Sequence, residues 1–140
     1  MSRYDVTLAL SEGPRRESAA SDREMPTYCG DETCPSCVVA DEFVFLAHHA
    51  GGFESDDVAV QMRACFEAMQ RTLETIGAAL ENLVQVNLYL RDIEDLRRAR
   101  DVYEYFENGF PARMAATTAF VDGACLCMLD GVAYVGPSHE

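Results

Sequence analysis

The sequence predicts an α+β domain, a single sheet with two helices packed on one face. Three observations lead there. Apolar residues recur at helical spacing in two segments, they cluster or alternate at strand spacing between and after them, and turn residues punctuate the boundaries. The resulting order is β-β-α-β-α-β-β, which calls for one sheet with helices on one side.

Each element has a local reason. Residues 1–33 form a polar, cysteine-containing extension, with a short strand expected at Tyr4–Leu10 and a mobile centre at Ser11–Arg23. Residues 34–136 form the domain and 137–140 a tail. Phe43-Val44-Phe45-Leu46-Ala47, ending at Gly51-Gly52, reads as a buried strand; the glycine pair reads as a turn, because no Gly-rich phosphate fingerprint surrounds it. Ser55-Asp56-Asp57 supplies an N-cap and an acidic first turn. Met62, Cys65, Phe66, Met69, Leu73 and Ile76 then fall on one helix face, closed by Gly77. Leu83–Leu90 alternates, with Val84, Val86, Leu88 and Leu90 on one face and Gln85, Asn87 and Tyr89 on the other. Asp92 and Asp95 open a second helix whose buried stripe is Leu96, Ala99, Tyr103 and Phe106. Gly109 ends it, and Pro111 prevents continuation. The runs Arg113–Val121 and Cys125–Val135, joined at Asp122-Gly123, read as a hairpin.

Charge excludes several functions. The 140 residues hold 24 acids against 11 cations, every cation is arginine, and the net charge is −13. Such a surface repels phosphate backbones, so no nucleic-acid partner is expected. Schiff-base chemistry by a lysine of this chain is excluded for want of a lysine. No apolar run reaches eighteen residues, and the first residues lack the order of a signal peptide, so a cytoplasmic protein without a membrane partner is expected.

Six cysteines are not spaced like a disulfide framework. Cys65 falls on the buried helix stripe, and Cys125 and Cys127 share a strand face, where both read as packing. Cys29, Cys34 and Cys37 contain the Cys-x-x-Cys spacing of zinc knuckles, but a fourth ligand would have to come from His48 or His49. Zinc, a redox Cys34/Cys37 pair and idle thiols are the three readings, with idle thiols preferred and no cofactor expected.

Arg113 poses the functional question. It stands just after a turn in Asn-Gly-Phe-Pro-Ala-Arg-Met-Ala-Ala, an otherwise apolar run. A permanent cation entering a strand needs an anion, from a carboxylate of the protein or from a ligand.

The elements "VFLAHHAGG", "QMRACFEAMQRTLETIGAALENLVQVNLYLRD" and "VYEYFENGFPARM" resemble the Rid family (YjgF, L-PSP) of reactive-intermediate imine and enamine deaminases, over residues 34–135. The resemblance implies the chorismate-mutase-like Rid fold, a homotrimer with clefts between subunits, and a hydrolase acting like a 2-iminobutanoate/2-iminopropanoate deaminase. It also implies that Arg113 clamps the carboxylate of a small-molecule substrate. A family glutamate that orients water corresponds to Met128, which can neither take a proton nor hold a water well. Asp130 lies one pleat further on the same strand face. The family's Ser-Gly-Gln element appears as Ala47-His48-His49, an upstream tyrosine corresponds to Cys34, and a small or cysteine position after the arginine is Ala115. Two readings follow. One is imine hydrolysis on the retained Arg113 anchor; the other is a non-deaminating protein that binds a carboxylate metabolite, or in which His48 or His49 and Cys34 rebuild a site of different chemistry beside that anchor. A ribonuclease, the family's older description, fits the charge worst.

Overall fold

The computed structural model describes residues 16–19, 35–99, 106 and 109–136. Six strands form one mixed sheet: β1 (Arg16–Ala19), β2 (Cys37–Ala40), β3 (Phe43–His49), β4 (Leu83–Leu90), β5 (Ala112–Thr117) and β6 (Cys127–Tyr134). Helix α1 (Val58–Glu74) joins β3 to β4, and the described part of a second helix, α2 (Leu96–Ala99), lies between β4 and β5. The spatial order is β1-β2-β3-β6-β4-β5, with β4 and β5 parallel and every other pair antiparallel. This is the α+β architecture with helices on one face that the periodicities predicted. Among the described residues no helix is long and apolar enough to cross a membrane.

Three differences from the sequence reading have physical causes. First, β2 was not foreseen. It pairs with β3 through the two-residue turn Asp41-Glu42, in which Asp41 takes a left-handed φ of 55° instead of the glycine that usually marks such turns. The strand expected at Tyr4–Leu10 lies outside the described residues, whereas β1 falls inside the stretch expected to be mobile. Second, β5 and β6 are not a hairpin. The Asp122-Gly123 turn is present, with Cys125 N donating to Asp122 O, but the chain passes around the end of β4 and β6 inserts between β3 and β4. Burial explains the choice: alternate β6 residues Cys127, Leu129, Gly131 and Ala133 are buried, whereas every residue of β5 is exposed. Third, Val84 leaves the apolar stripe of β4. A register shift between Leu83 and Gln85 makes it the extra residue of a bulge, 45% exposed, and Leu83 takes its place in the core.

Helix α1 forms where the pattern placed it. Asp57 is the N-cap, accepting from Ala59 N at 2.9 Å, and the neighbouring acids precede the first turn instead of occupying it. Met62, Cys65, Phe66, Met69 and Leu73 face the sheet. Phe106 packs edge-on against Phe66, with ring centroids 5.5 Å apart. Tyr103 lies outside the described residues.

A second bulge decides the fate of the two histidines. Along β3 and β6, Leu46 pairs with Gly131 and His49 with Leu129, so three steps on β3 match two on β6. Both Leu46 and His49 therefore face α1, and His48 turns to the open face. His49 is fully buried; Nδ1–H donates to Ala47 O at 2.7 Å, and Nε2 accepts from the Thr72 hydroxyl at 2.8 Å. Burial lowers its pKa from 6.5 to about 4, so the ring is neutral in the folded protein.

Two stability tests follow. A Cβ at Gly131 would lie 2.5 Å from Gln85 O, a backbone atom that cannot move aside, so Gly131→Ala should cost about 3 kcal/mol in denaturant unfolding. For His49, the unfolded chain binds a proton more readily than the folded one. The stability it contributes is complete above pH 6.5 and is lost as pH falls towards about 4, by up to roughly 3 kcal/mol. Unfolding free energy measured across that window should show this slope, and His49→Gln should flatten it.

Candidate active site

On the face that the helices leave open, β3, β4 and β6 bring four polar side chains together. Asp130 is the centre. Its Oδ1 accepts from Asn87 Nδ2 at 2.8 Å and its Oδ2 from the Tyr89 hydroxyl at 3.1 Å. His48 Nε2 lies 3.4 Å from the same Oδ2, an ion pair whenever the ring is protonated. The imidazole stands edge-on to the Tyr89 ring, with centroids 5.3 Å apart. Strand register makes the cluster: Asn87 is opposite Asp130 and Tyr89 opposite Met128, so all four share one face. Burial, followed by the nearby carboxylate, raises the Tyr89 pKa, which keeps the phenol a donor at neutral pH.

A cleft of about 230 Å³ opens beside this cluster, lined by His48, Tyr89, Met128 and the loop Thr118–Val121. Arg91 fastens the loop: Nε donates to Cys125 O at 2.8 Å, a terminal nitrogen donates to Asp122 O at 2.9 Å, and the guanidinium lies 5.4 Å from the centre of the Phe120 ring. Gln61, buried in α1, ties the far end of the loop. Its amide nitrogen donates to the carbonyls of Ser55 and Ala124, and its oxygen accepts from Leu126 N. Thus the cleft wall is held on both sides by hydrogen-bonded polar side chains, Arg91 and Gln61.

The residues singled out by sequence divide sharply. His48, Asp130 and Met128 meet at the cleft, although Met128 is itself buried. His49 is in the core with both ring nitrogens engaged, so it does not face the cleft. Ala47 belongs to β3, where its nitrogen donates to Ser36 O. Arg113 and Ala115 are exposed on edge strand β5. Arg113 is in register with Val86 and Ala115 with Leu88, on the face opposite the His48–Asp130 cluster. Cys29 and Cys34 lie outside the described residues, while Cys37 is buried. Among the described residues no three His, Cys, Asp or Glu side chains are grouped to hold a metal ion.

The sequence does not mark Asn87 and Tyr89 as members of a site, although the alternation of β4 places them together on its polar face. Gln61 carries only a faint signal, a lone amide inside an apolar helix stripe.

Comparison with known proteins follows the same outline. The family described as Endoribonuclease L-PSP matches residues 37–133. A RutC family protein of Pyrococcus abyssi is 30% identical over 99 residues, covering 66% of this chain and 78% of the relative. A Bos taurus protein named 2-iminobutanoate/2-iminopropanoate deaminase is 30% identical over 81 residues, 57% of this chain and 59% of its own length. Among solved structures, a YjgF/YER057c/UK114 family member from Mycobacterium tuberculosis superposes with a TM-score of 0.75 at 24% identity, covering 86% of this chain and 99% of its own. A yjgF family protein from Streptococcus pyogenes gives 0.69 at 28% identity, over 77% and 93%. With the family match spanning more than half of the sequence and the sheet order now described, the chain belongs to the Rid (YjgF, L-PSP) family.

Proposed function

We propose that this protein hydrolyses the C=N bond of a small imine, or its enamine tautomer, that carries a carboxylate, giving a keto acid and ammonia. The observation that carries the reading is Arg113 in the Phe-Pro-Ala-Arg element, presented on an exposed strand at the edge of the sheet. A guanidinium there can grip a carboxylate through two parallel hydrogen bonds. Relatives named 2-iminobutanoate/2-iminopropanoate deaminase support the reaction class.

The arrangement argues for a site shared between chains. Within one chain Arg113 and the His48 cleft occupy opposite faces of the sheet, so one small molecule cannot touch both. A second copy placing its β5 edge against the cleft would bring them together. The open face also carries an aromatic patch, with the Phe43 and Tyr134 rings tilted against each other at 5.4 Å and Phe45 49% exposed, which an oligomer would cover. A homotrimer is the assembly we propose.

An imine carbon is already close to a protonated carbonyl, so the protein has little covalent work to do. It must hold the carboxylate, admit one water, and move protons. One observation favours a second reading, in which the cleft binds a carboxylate metabolite without deaminating it. Met128 occupies the position where the family resemblance places a water-orienting glutamate.

The test is ammonia and keto-acid release from freshly generated 2-imino acids. The protein should accelerate both, and Arg113→Ala should reduce kcat/KM by about 10²-fold, in keeping with loss of a bidentate charged contact. Light scattering should return three times the 15.5 kDa chain mass. A protein that binds 2-keto acids but leaves imine hydrolysis at the buffer rate would establish the second reading.

A further inference from the structure

Resting on that deaminase reading, we infer that proton transfer is carried by His48, with Asp130 as its positioning carboxylate and Asn87 and Tyr89 holding Asp130 in place. The assignment starts from an otherwise unexplained grouping. Asp130 is the sole carboxylate among the open-face positions of β3, β4 and β6, and its side chain is only 21% exposed. A half-buried anion among apolar neighbours is unfavourable unless its lone pairs are met. Here two neutral donors from β4 meet them at 2.8 and 3.1 Å, and the imidazole that reaches it, His48, also lines the cleft.

The chemistry follows from this geometry. With its Nε2 side towards Asp130, the imidazole carries its proton there and leaves Nδ1 as the acceptor for a water in the cleft. As the water oxygen bonds C2 of a protonated imine, the C=N pair withdraws onto nitrogen and a water proton passes to Nδ1. Nδ1 then returns that proton to the amine. The C–N bond breaks, its pair leaving with ammonia, and as the C=O bond forms the hydroxyl proton passes to the again neutral Nδ1 and from there to solvent. The sum is protonated imine plus water to keto acid, ammonia and a proton, or ammonium at neutral pH. Asp130 does not exchange protons; it orients the ring and stabilises the transient imidazolium, as the paired carboxylate of a His–Asp couple does. Met128 contributes an apolar wall, and the water-handling role moves from its position to the opposing strand β3.

The deciding experiment is steady-state kinetics of the full chain on freshly generated 2-imino acids, with oligomeric mass and melting temperature checked for each variant. His48→Gln and Asp130→Asn should each lower kcat by about 10²-fold with KM little changed. Asn87→Ala should lower kcat several-fold. Added imidazole should restore part of the rate to His48→Ala, which a merely structural role would not permit. Folded His48 variants with wild-type kcat, alongside an inactive Arg113→Ala, would overturn this assignment and leave the deaminase reading intact. Wild-type protein that accelerates nothing would overturn both.

Discussion

The fold depends on one steric constraint, the passage of the last strand between two earlier ones. β6 runs antiparallel to both β3 and β4, and at Gly131 it comes so close to the β4 backbone that even a methyl group would overlap the Gln85 carbonyl. Because β6 is central, its buried alternate residues meet α1 and the other set lines the open face. Because it displaces β5 from the hairpin position, β5 becomes a parallel edge strand, exposed along its whole length. Arg113 is presented to the outside by the same event that puts Asp130 at the centre of the sheet.

The two faces then acquire different chemistry. Under α1 the packing is almost wholly apolar, and the thiols behave as small hydrophobic groups. Cys65 and Cys127 lie with sulfurs 3.9 Å apart, and Cys125 donates to Cys127 O. The hydrogen bond that the Cys65 thiol makes to Cys127, together with burial, drives the Cys65 pKa well up, and burial holds Cys125 at about 11, so Cys65 and Cys125 are not nucleophiles at neutral pH. His49 and Gln61, buried on this side, have their hydrogen bonds met within the protein. The open face keeps its polar groups in a connected cluster beside a cleft, where a ligand can complete the hydrogen bonding.

The position of Met128 gains meaning from that contrast. A glutamate there would stand beside Tyr89 and two residues from Asp130 on the same strand face, and two such carboxylates in one cleft would repel each other. Methionine removes that repulsion and leaves Asp130 as the single anion facing His48. Under the assignment proposed above, Met128 and the His48–Asp130 pairing are therefore consistent parts of one arrangement.

The sequence by itself determined the fold class, the helix face of α1, and the polar and apolar sides of most of β4. Each rests on local periodicity, and such signals survive without knowledge of the partner strands. Tertiary structure decided the rest. Simple alternation along β3 would have put His48 with Leu46 in the core and His49 on the open face; the bulge reverses this, and nothing in Ala47-His48-His49 announces an extra residue. The hairpin expected across Asp122-Gly123 failed for the same reason, since a turn signal specifies a change of direction and not which neighbour the next strand will meet. Strand pairing is a contest for burial among all the strands: β6 took the centre with most of its residues buried, and β5, exposed throughout, was left at the edge.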